Sequence, residues 1–286
     1  MKFSVSSYSF AQYINAGKMT QLDCVAKAKE MGFDAIEFID LKGETKEEKT
    51  ELARAIKAEA EKVGIEINAY TIGANLFADT AEAREAEIQK VKDQLDIAAV
   101  LGVKLLRHDV CWNLAKAGKG RSFDLMLPDL ADSARKITEY AQSLGIRTCS
   151  ENHGMLAQDS DRMERLFNAV NHDNYGLLID MGNFLCVDEN PAVAVSRLAP
   201  YAFHVHAKDM AVREKPLPGH TLVSRGCNYL KCCALGEGDV PIEKCIRILL
   251  KAGYEGFLSI EYEGAEDCIQ GIEKGLKHLK EIFARI

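Results

Sequence analysis

Four apolar runs in the second half of the chain each end in a side chain that is able to bind a metal ion. Those side chains are Glu151, Asp180, His206 and Glu261. A carboxylate beside a buried strand is costly unless it is paired or binds a cation, and three converging carboxylates repel one another strongly. Any one of the four could be an ordinary polar residue that ends a strand at the surface. All four together, in successive strands, predict a divalent metal site.

The ligand types indicate which ions such a site favours. Three carboxylates and one imidazole form a harder ligand set than the cysteines and histidines that hold structural zinc. We therefore expect one divalent ion, with Mn²⁺ favoured and with Mg²⁺, Co²⁺ and Zn²⁺ as alternatives.

The elements that must position these residues follow a regular alternation. Short β-branched or aromatic runs alternate with longer amphipathic stretches along the chain, which is typical of βα units around a parallel sheet. The eight predicted strands are residues 3–8, 35–39, 65–71, 103–108, 146–151, 175–180, 202–206 and 257–261. Five helical stretches end in a glycine suited to a left-handed turn, namely Gly32, Gly64, Gly102, Gly145 and Gly253.

Eight such units predict an α/β protein with a single (β/α)8 TIM barrel over residues 1–286. No Pro/Gly/Ser-rich linker and no step in composition divides the chain. A doubly wound sheet is the alternative, but it is typically marked by a GxGxxG or GxxxxGK[ST] turn, and the sequence has neither. Active-site residues of a barrel lie at the carboxyl ends of its strands, so the four candidate ligands are expected to meet at one mouth.

Composition limits the classes of partner. The 286-residue chain has 36 Lys+Arg and 43 Asp+Glu, a net charge of −7, and 47% hydrophobic residues. An acidic chain has no overall electrostatic attraction to nucleic acid or to an anionic membrane. The first residues lack the apolar core of a signal peptide, and no apolar run is long enough for a membrane span. We predict a cytoplasmic protein with neither kind of partner.

One long irregular stretch, residues 209–238, follows the seventh predicted strand. It contains Arg213, Arg225 and a group of three cysteines. Cys227, Cys232 and Cys233 lack a fourth ligand at zinc-site spacing, so we interpret them as reduced thiols rather than as a metal or redox site. Long loops typically have a function. We expect a lid or a contact surface in a homo-oligomer, with a plain insertion as the alternative.

The strand-end residues and three short phrases together resemble a known family. The phrases are Glu151-Asn152-His153-Gly154, His206-Ala207-Lys208-Asp209 and Leu235-Gly236-Glu237-Gly238-Asp239. In this order, over essentially the whole chain, they are similar to the sugar phosphate isomerase/epimerase family of xylose-isomerase-like TIM barrels. The resemblance implies one divalent ion held by Glu151, Asp180, His206 and Glu261, with the two glutamates also acting as acid and base.

The implied activity is isomerisation or epimerisation of a small carbohydrate substrate: a sugar, sugar phosphate or polyol ketone. It would use proton transfer through a metal-stabilised enediolate. A dehydratase of the inosose or dehydroshikimate type would use the same site, and a non-catalytic metal- or sugar-binding module is a third alternative. Ala157 and Asn183 stand where ketose 3-epimerases have an acidic residue and a histidine, which weighs against 3-epimerisation. Asn183 in place of that histidine also weighs against an activity of the endonuclease IV type.

Other polar and aromatic residues near strand ends are candidates for substrate binding. They are Glu37, His108, Trp112, His153, Asn183, Lys208 and Arg213. Trp112 has the alternative of packing in the core, and Arg213 would meet an anionic substrate group. We expect His204 to point away from His206, towards the barrel or the helices.

Overall fold

Eight parallel strands close into a barrel in the computed structural model, which describes residues 1–112, 121–219 and 222–286. They are Lys2–Ser6 (β1), Ala35–Ile39 (β2), Glu66–Ile72 (β3), Leu105–His108 (β4), Arg147–Glu151 (β5), Tyr175–Asp180 (β6), Ala202–Ala207 (β7) and Phe257–Ile260 (β11). Around the barrel their order is β1-β11-β7-β6-β5-β4-β3-β2. The predicted (β/α)8 fold is confirmed, and each strand lies within two residues of its predicted bounds.

Helices in the connections pack around the outside of the barrel. They are Ala11–Asn15 (α1), Asp23–Glu30 (α2), Lys46–Val63 (α3), Ala81–Leu101 (α4), Phe123–Ser143 (α5), Ser160–Val170 (α6), Pro191–Leu198 (α7), Ile242–Lys251 (α8) and Cys268–Phe283 (α9). Short 3₁₀ helices lie at Ser7–Phe10, Asn183–Val187 and Ala199–Tyr201. None of the helices in the described ranges combines the length and the apolar character that crossing a membrane requires.

Local sequence signals explain where several helices begin and end. Thr45 and Glu48 form a reciprocal capping box at the start of α3. The five predicted helix-terminating glycines all adopt positive φ, between 69° and 89°. A left-handed residue there satisfies the last helical carbonyls and redirects the chain into the next strand.

The barrel interior is apolar below its mouth and polar at the mouth itself. Ala69, Leu105, Cys149 and Leu178 form one buried cluster. Successive strand residues point to opposite faces, so the residue two positions further along each strand also faces inward. On β4, β5 and β6 those residues are Arg107, Glu151 and Asp180. The apolar cluster therefore lies directly below these polar residues inside the barrel.

The long stretch after β7 is largely ordered, and the expectation of an irregular loop was wrong. Asp209–Arg213 (β8), Leu222–Val223 (β9) and Tyr229–Cys233 (β10) form an antiparallel sheet in the order β8-β10-β9, while residues 220 and 221 of this stretch lie outside the described ones. Its inner face buries Cys186, Met210, Leu230 and Cys232. Leu230 and Cys232 alternate with outward residues, so cysteine here acts as an apolar strand residue.

Candidate functional site

The four predicted ligands meet at the carboxyl end of the barrel. Ligand atoms of Glu151, Asp180, His206 and Glu261 all lie within 4.8 Å of one another. Nδ1 of His206 is 4.0 Å from Glu151 Oε2, 3.8 Å from Asp180 Oδ2 and 3.6 Å from Glu261 Oε1. Because all four side chains are buried or nearly so, their charges act on one another with little screening by water.

Three atoms of this cluster are buried and have no hydrogen-bond partner among the described residues. They are Oδ2 of Asp180 and both ring nitrogens of His206. By contrast, Oδ1 of Asp180 accepts backbone N–H groups from Gly182 at 2.7 Å and Asn183 at 2.9 Å. Since buried polar atoms are normally satisfied, Oδ2 of Asp180 and Nδ1 of His206, which lie 3.8 Å apart, fit a cation held between them.

The electrostatics of the cluster also favour added positive charge. Burial raises the pKa of Asp180 to about 7, and the neighbouring Glu151 and Glu261 add to the effect. Burial opposes protonation of His206, yet Glu37 and Glu261 outweigh it and raise the pKa of the imidazole to about 10. The carboxylates therefore hold a proton at the position where a divalent ion would supply the same sign of charge.

Glu151 is held by an amide and a guanidinium. Its Oε1 accepts a hydrogen bond from Asn183 Nδ2 at 2.8 Å, and its Oε2 lies 2.5 Å from a terminal nitrogen of Arg107. The same nitrogen of Arg107 lies 2.7 Å from Oδ1 of Asp109, which also contacts Nδ1 of His153 at 3.0 Å. Sequence reasoning missed Asp109, although an acid directly after the fourth strand carries the same signal as the four ligands.

Glu261 is held by a lysine. Lys208 Nζ donates to Glu261 Oε2 at 3.0 Å and to Glu263 Oε1 at 2.7 Å. Burial opposes the charge on Lys208, but these two carboxylates keep its pKa well above the usual value. Burial likewise opposes ionisation of Glu261, but Lys208 and His206 bring its pKa to about 2. The lysine and the glutamate are thus a charged pair at the mouth of the barrel.

Glu37 lies beside His206 and is fully buried. Its Oε1 is 2.7 Å from Nε2 of His206, and its Oε2 is 2.5 Å from Nε2 of His204. The expectation that His204 points away from His206 was wrong, because residues two positions apart on a strand share a face.

A cavity of about 270 Å³ opens above the cluster. Besides ligand residues, its described lining includes Arg107, Asp109, Trp112, His153, Lys208 and Glu263. Trp112 is 44% exposed, so it belongs to the cavity wall and not to the core. Its Nε1 donates to the carbonyl of Ala74 at 2.9 Å, and its ring meets His153 edge-on at 4.9 Å. These two contacts hold the indole in the cavity wall.

A glycine allows the loop after β5 to approach this wall. Gly154 has φ +85°, and a Cβ at this position would lie 2.5 Å from the carbonyl oxygen of Cys111. Any other residue would force the two loops apart, which explains the glycine in the phrase Glu151-Asn152-His153-Gly154.

Four predicted substrate contacts are not among the described residues that line the cavity. Glu37 is fully buried against His204 and His206, and Asn183 is buried with its amide on Glu151.

The other two predicted contacts are His108 and Arg213. His108 follows the inward Arg107 on β4 and so faces the helices; it is buried, and burial lowers its pKa to about 4. Arg213 lies on β8, where its guanidinium is 2.8 Å from Asp239 and about half exposed. Strand alternation accounts for the first, and the unexpected β8–β10 sheet accounts for the second.

Three carboxylates and an imidazole at the carboxyl ends of a (β/α)8 barrel are the architecture of a TIM-barrel enzyme site. The chain belongs to the xylose isomerase-like TIM barrel family, whose sequence pattern matches residues 25–282. This confirms the family resemblance found in the sequence and supports a carbohydrate-related enzyme.

The curated relatives that match the chain include inosose dehydratases. The inosose dehydratase of Clostridium beijerinckii is 27% identical over 156 residues, which cover 54% of this chain and 52% of that protein. The chain thus spans about half the length of the curated relatives it matches.

Two solved structures show the same fold at low identity. The 3-keto-D-glucoside 4-epimerase YcjR of E. coli superposes with a TM-score of 0.69 at 18% identity, over 91% of this chain and 94% of that one. The IOLI protein with a bound zinc atom superposes with a TM-score of 0.78 at 15% identity, over 100% of this chain and 99% of that one.

Proposed function

We propose that the protein is a divalent-metal-dependent isomerase or epimerase of a neutral polyol ketone, such as a sugar. The observation that carries the proposal is the pair of glutamates in one cluster. Glu151 ends β5 and Glu261 follows β11, so they approach His206 from strands on either side of β7. Two carboxylates that reach one reacting centre from different sides are what proton removal and return require.

Glu151, Asp180, His206 and Glu261 would hold the ion, through Nδ1 in the case of the histidine. A divalent ion bound there would polarise the substrate carbonyl and stabilise the negative charge that develops when the adjacent proton leaves. The hard ligand set keeps Mn²⁺ as the preferred ion.

The neighbours of the two glutamates prepare them for proton transfer. Lys208 beside Glu261 keeps that carboxylate ionised, which is the form that accepts a proton, and Arg107 forms an ion pair with Glu151. When one glutamate takes the proton, its cationic neighbour loses an ion-pair partner and favours giving the proton back. Return of the proton to the adjacent carbon gives isomerisation. Return to the opposite face of the original carbon inverts it and gives epimerisation.

The charge around the cavity supports a neutral substrate. Arg107 contacts two carboxylates, Lys208 contacts three, and His153 contacts Asp109. Within residues 1–112, 121–219 and 222–286, every basic side chain lining the cavity therefore already has an acidic partner. A phosphate or carboxylate group would have to compete with those partners, whereas hydroxyl groups can donate to them.

A dehydratase acting through the same cluster is the second candidate. The curated relative from Clostridium beijerinckii is an inosose dehydratase, and so are other curated proteins that match part of the chain. His153 lines the cavity, and Asp109 at its Nδ1 raises the pKa of the imidazole against the effect of burial. That pair supports a role in donating a proton to a departing hydroxyl.

Turnover in heavy water tests the proposal and separates the two candidates. The Mn²⁺-loaded protein is incubated with neutral ketoses and inososes, and the products are analysed by mass spectrometry and NMR. Isomerisation or epimerisation introduces deuterium at the carbon next to the carbonyl and keeps the skeleton, whereas dehydration removes one water and creates a conjugated, ultraviolet-absorbing product.

Variants assign the chemistry to the cluster. Glu151→Gln and Glu261→Gln should abolish exchange in samples that still contain metal, while Arg213→Gln, outside the cavity, should leave it unchanged. If no substrate exchanges or loses water, or if both glutamine variants exchange at the original rate, the proposed function is wrong.

A further inference from the structure

Behind the ligand cluster, one buried carboxylate contacts two imidazoles. Glu37 on β2 is 0% exposed, and its two oxygens lie 2.7 Å from Nε2 of His206 and 2.5 Å from Nε2 of His204. The two imidazole rings meet edge-on with their centroids 5.5 Å apart. We call Glu37, His204 and His206 the His–Glu–His group. Neither Glu37 nor His204 has a part in the chemistry proposed above.

Glu37 reaches these histidines across the inside of the barrel. Two strands, β1 and β11, separate β2 from β7 in the barrel order. In register, β1 places Ser6 beside Glu37, and β11 places Ser259 beside His206. Both are small, so the glutamate side chain can pass in front of them. A larger residue at either position would occupy the path of the carboxylate.

The contact decides which nitrogen of His206 faces the ligand cluster. Nε2 of His206 lies 2.7 Å from Oε1 of Glu37, an ion-pair contact whose angle does not complete a hydrogen bond, while Nδ1 faces Glu151, Asp180 and Glu261. No other described residue partners Nε2, so Glu37 is the acceptor within reach of its N–H. A neutral imidazole binds a metal through the nitrogen that carries no proton, and a carboxylate on the other nitrogen fixes that tautomer.

We infer that Glu37 is a positioning residue that accepts Nε2–H from His206 and thereby fixes Nδ1 as the metal-binding atom. His204 contacts the second oxygen and holds the carboxylate in the orientation that His206 needs. The inference rests on the metal site of the proposed function. It concerns ion binding alone, so it can be tested without a substrate.

The His–Glu–His group has the composition of a metal site itself, but its distances favour hydrogen bonds. The hydrogen bond between His204 and Glu37 is 2.5 Å long, and the nitrogen–oxygen contact of His206 with Glu37 is 2.7 Å, at the short end of the range for charge-assisted hydrogen bonds. Ligand atoms about 2.1 Å from a shared tetrahedral ion stand roughly 3.4 Å apart. The group is therefore too closely packed to enclose an ion.

Nitrogen-15 NMR of the Zn²⁺-loaded wild-type protein tests the tautomer directly. We expect the His206 ring to carry its proton on Nε2 and to show the shift of a metal-bound nitrogen at Nδ1. A proton on Nδ1, or zinc bound through Nε2, would overturn the inference. This measurement needs no variant, so a folding defect cannot obscure it.

Calorimetric titration with Zn²⁺ measures the size of the effect. Glu37→Gln keeps the shape but replaces one acceptor oxygen by a donor NH₂, and we expect affinity to fall about 10- to 100-fold. His204→Gln, which leaves Glu37 beside His206, should cost less. Ser259→Ala is the matched control, since its hydroxyl is buried in the same layer with no partner among the described residues, and its affinity should equal that of the wild type.

The outcomes separate this inference from the proposed function. Equal zinc affinity in Glu37→Gln and wild type overturns the positioning role and leaves the proposed function intact. Two zinc ions per wild-type chain but one per Glu37→Gln chain would make the group a second metal site and also overturn the inference. A wild-type chain that binds no divalent ion contradicts the proposed function itself. Circular dichroism of each variant confirms that it is folded.

Discussion

Replacing Asp180 by asparagine is expected to stabilise the metal-free protein and to abolish its stabilisation by metal. The carboxyl group is fully buried, and burial together with Glu151 and Glu261 raises its pKa from 3.8 to about 7. Asparagine has the same shape, and its Oδ1 can still accept the N–H groups of Gly182 and Asn183. The substitution therefore removes a charge while it keeps these two hydrogen bonds.

The size of the effect follows from proton linkage. A carboxyl whose pKa is raised on folding contributes no penalty below pH 3.8, and the folded state loses stability as the pH rises from 3.8 through about 7. At about 1.4 kcal/mol for each pKa unit, the loss approaches about 4 kcal/mol above pH 7. The attraction of Lys208, whose Nζ lies 3.9 Å from the carboxylate, lowers this pKa and is already included in the figure.

Metal acts in the opposite direction and only on the wild type. An ion present at about 100 times its Kd stabilises the folded state by about 2.7 kcal/mol. Unfolding 286 residues at about 2.1 cal/mol/K per residue gives an entropy of about 0.6 kcal/mol/K, so Tm should rise by about 4–5 °C. The variant lacks one ligand and should gain little.

Urea and thermal unfolding at pH 8, followed by circular dichroism in EDTA and in excess Mn²⁺, measure both effects. We expect the variant to be the more stable protein in EDTA and to show almost no change on adding Mn²⁺. Asp173→Asn, at an exposed site just before β6 and so at the opposite end of this strand from Asp180, should match the wild type in both conditions. A variant less stable than the wild type in EDTA, or one stabilised equally by Mn²⁺, would refute this reasoning.

Three further predictions test other parts of the structure. Lys208→Met should slow proton exchange in heavy water about 10- to 100-fold with metal still bound, because it removes a charged hydrogen bond to Glu261; an unchanged rate would exclude the role. Asp209→Ala should lower the free energy of unfolding by about 2–4 kcal/mol in urea titrations, because its carboxylate accepts four backbone N–H groups that hold the loop before α8, and Asp209→Asn should lower it less. Among the nine free thiols, Cys227 is the exposed one and should react first with a thiol reagent; if Cys227→Ser keeps the fast phase, this assignment is wrong.

Much of the barrel and its ligand cluster could be predicted because both follow from local patterns. Apolar runs marked the strands, and glycines such as Gly64 and Gly102 marked where helices end. Parallel strands bring their carboxyl ends to one face, so Glu151 and Glu261 had to meet although 110 residues separate them in sequence.

The rest depends on distances across the fold that no local pattern contains. Glu37 reaches His206 over two intervening strands, and this contact requires the closed barrel and its register. The position of Asp109 directly after the fourth strand could have been recognised in the sequence. Its contact with Arg107 could not. Arg213 was assigned to the substrate because the β8–β10 sheet that carries it away from the mouth was not predicted.

Anomalous diffraction from a crystal soaked in Mn²⁺ tests the central claim most directly. A single divalent ion should appear as one anomalous peak per chain, bounded by carboxylate oxygens of Glu151, Asp180 and Glu261 and by Nδ1 of His206. Oxygen and nitrogen ligands should lie about 2.0–2.3 Å from the peak. No peak within reach of these four side chains, or a peak at another group of residues, would contradict the account.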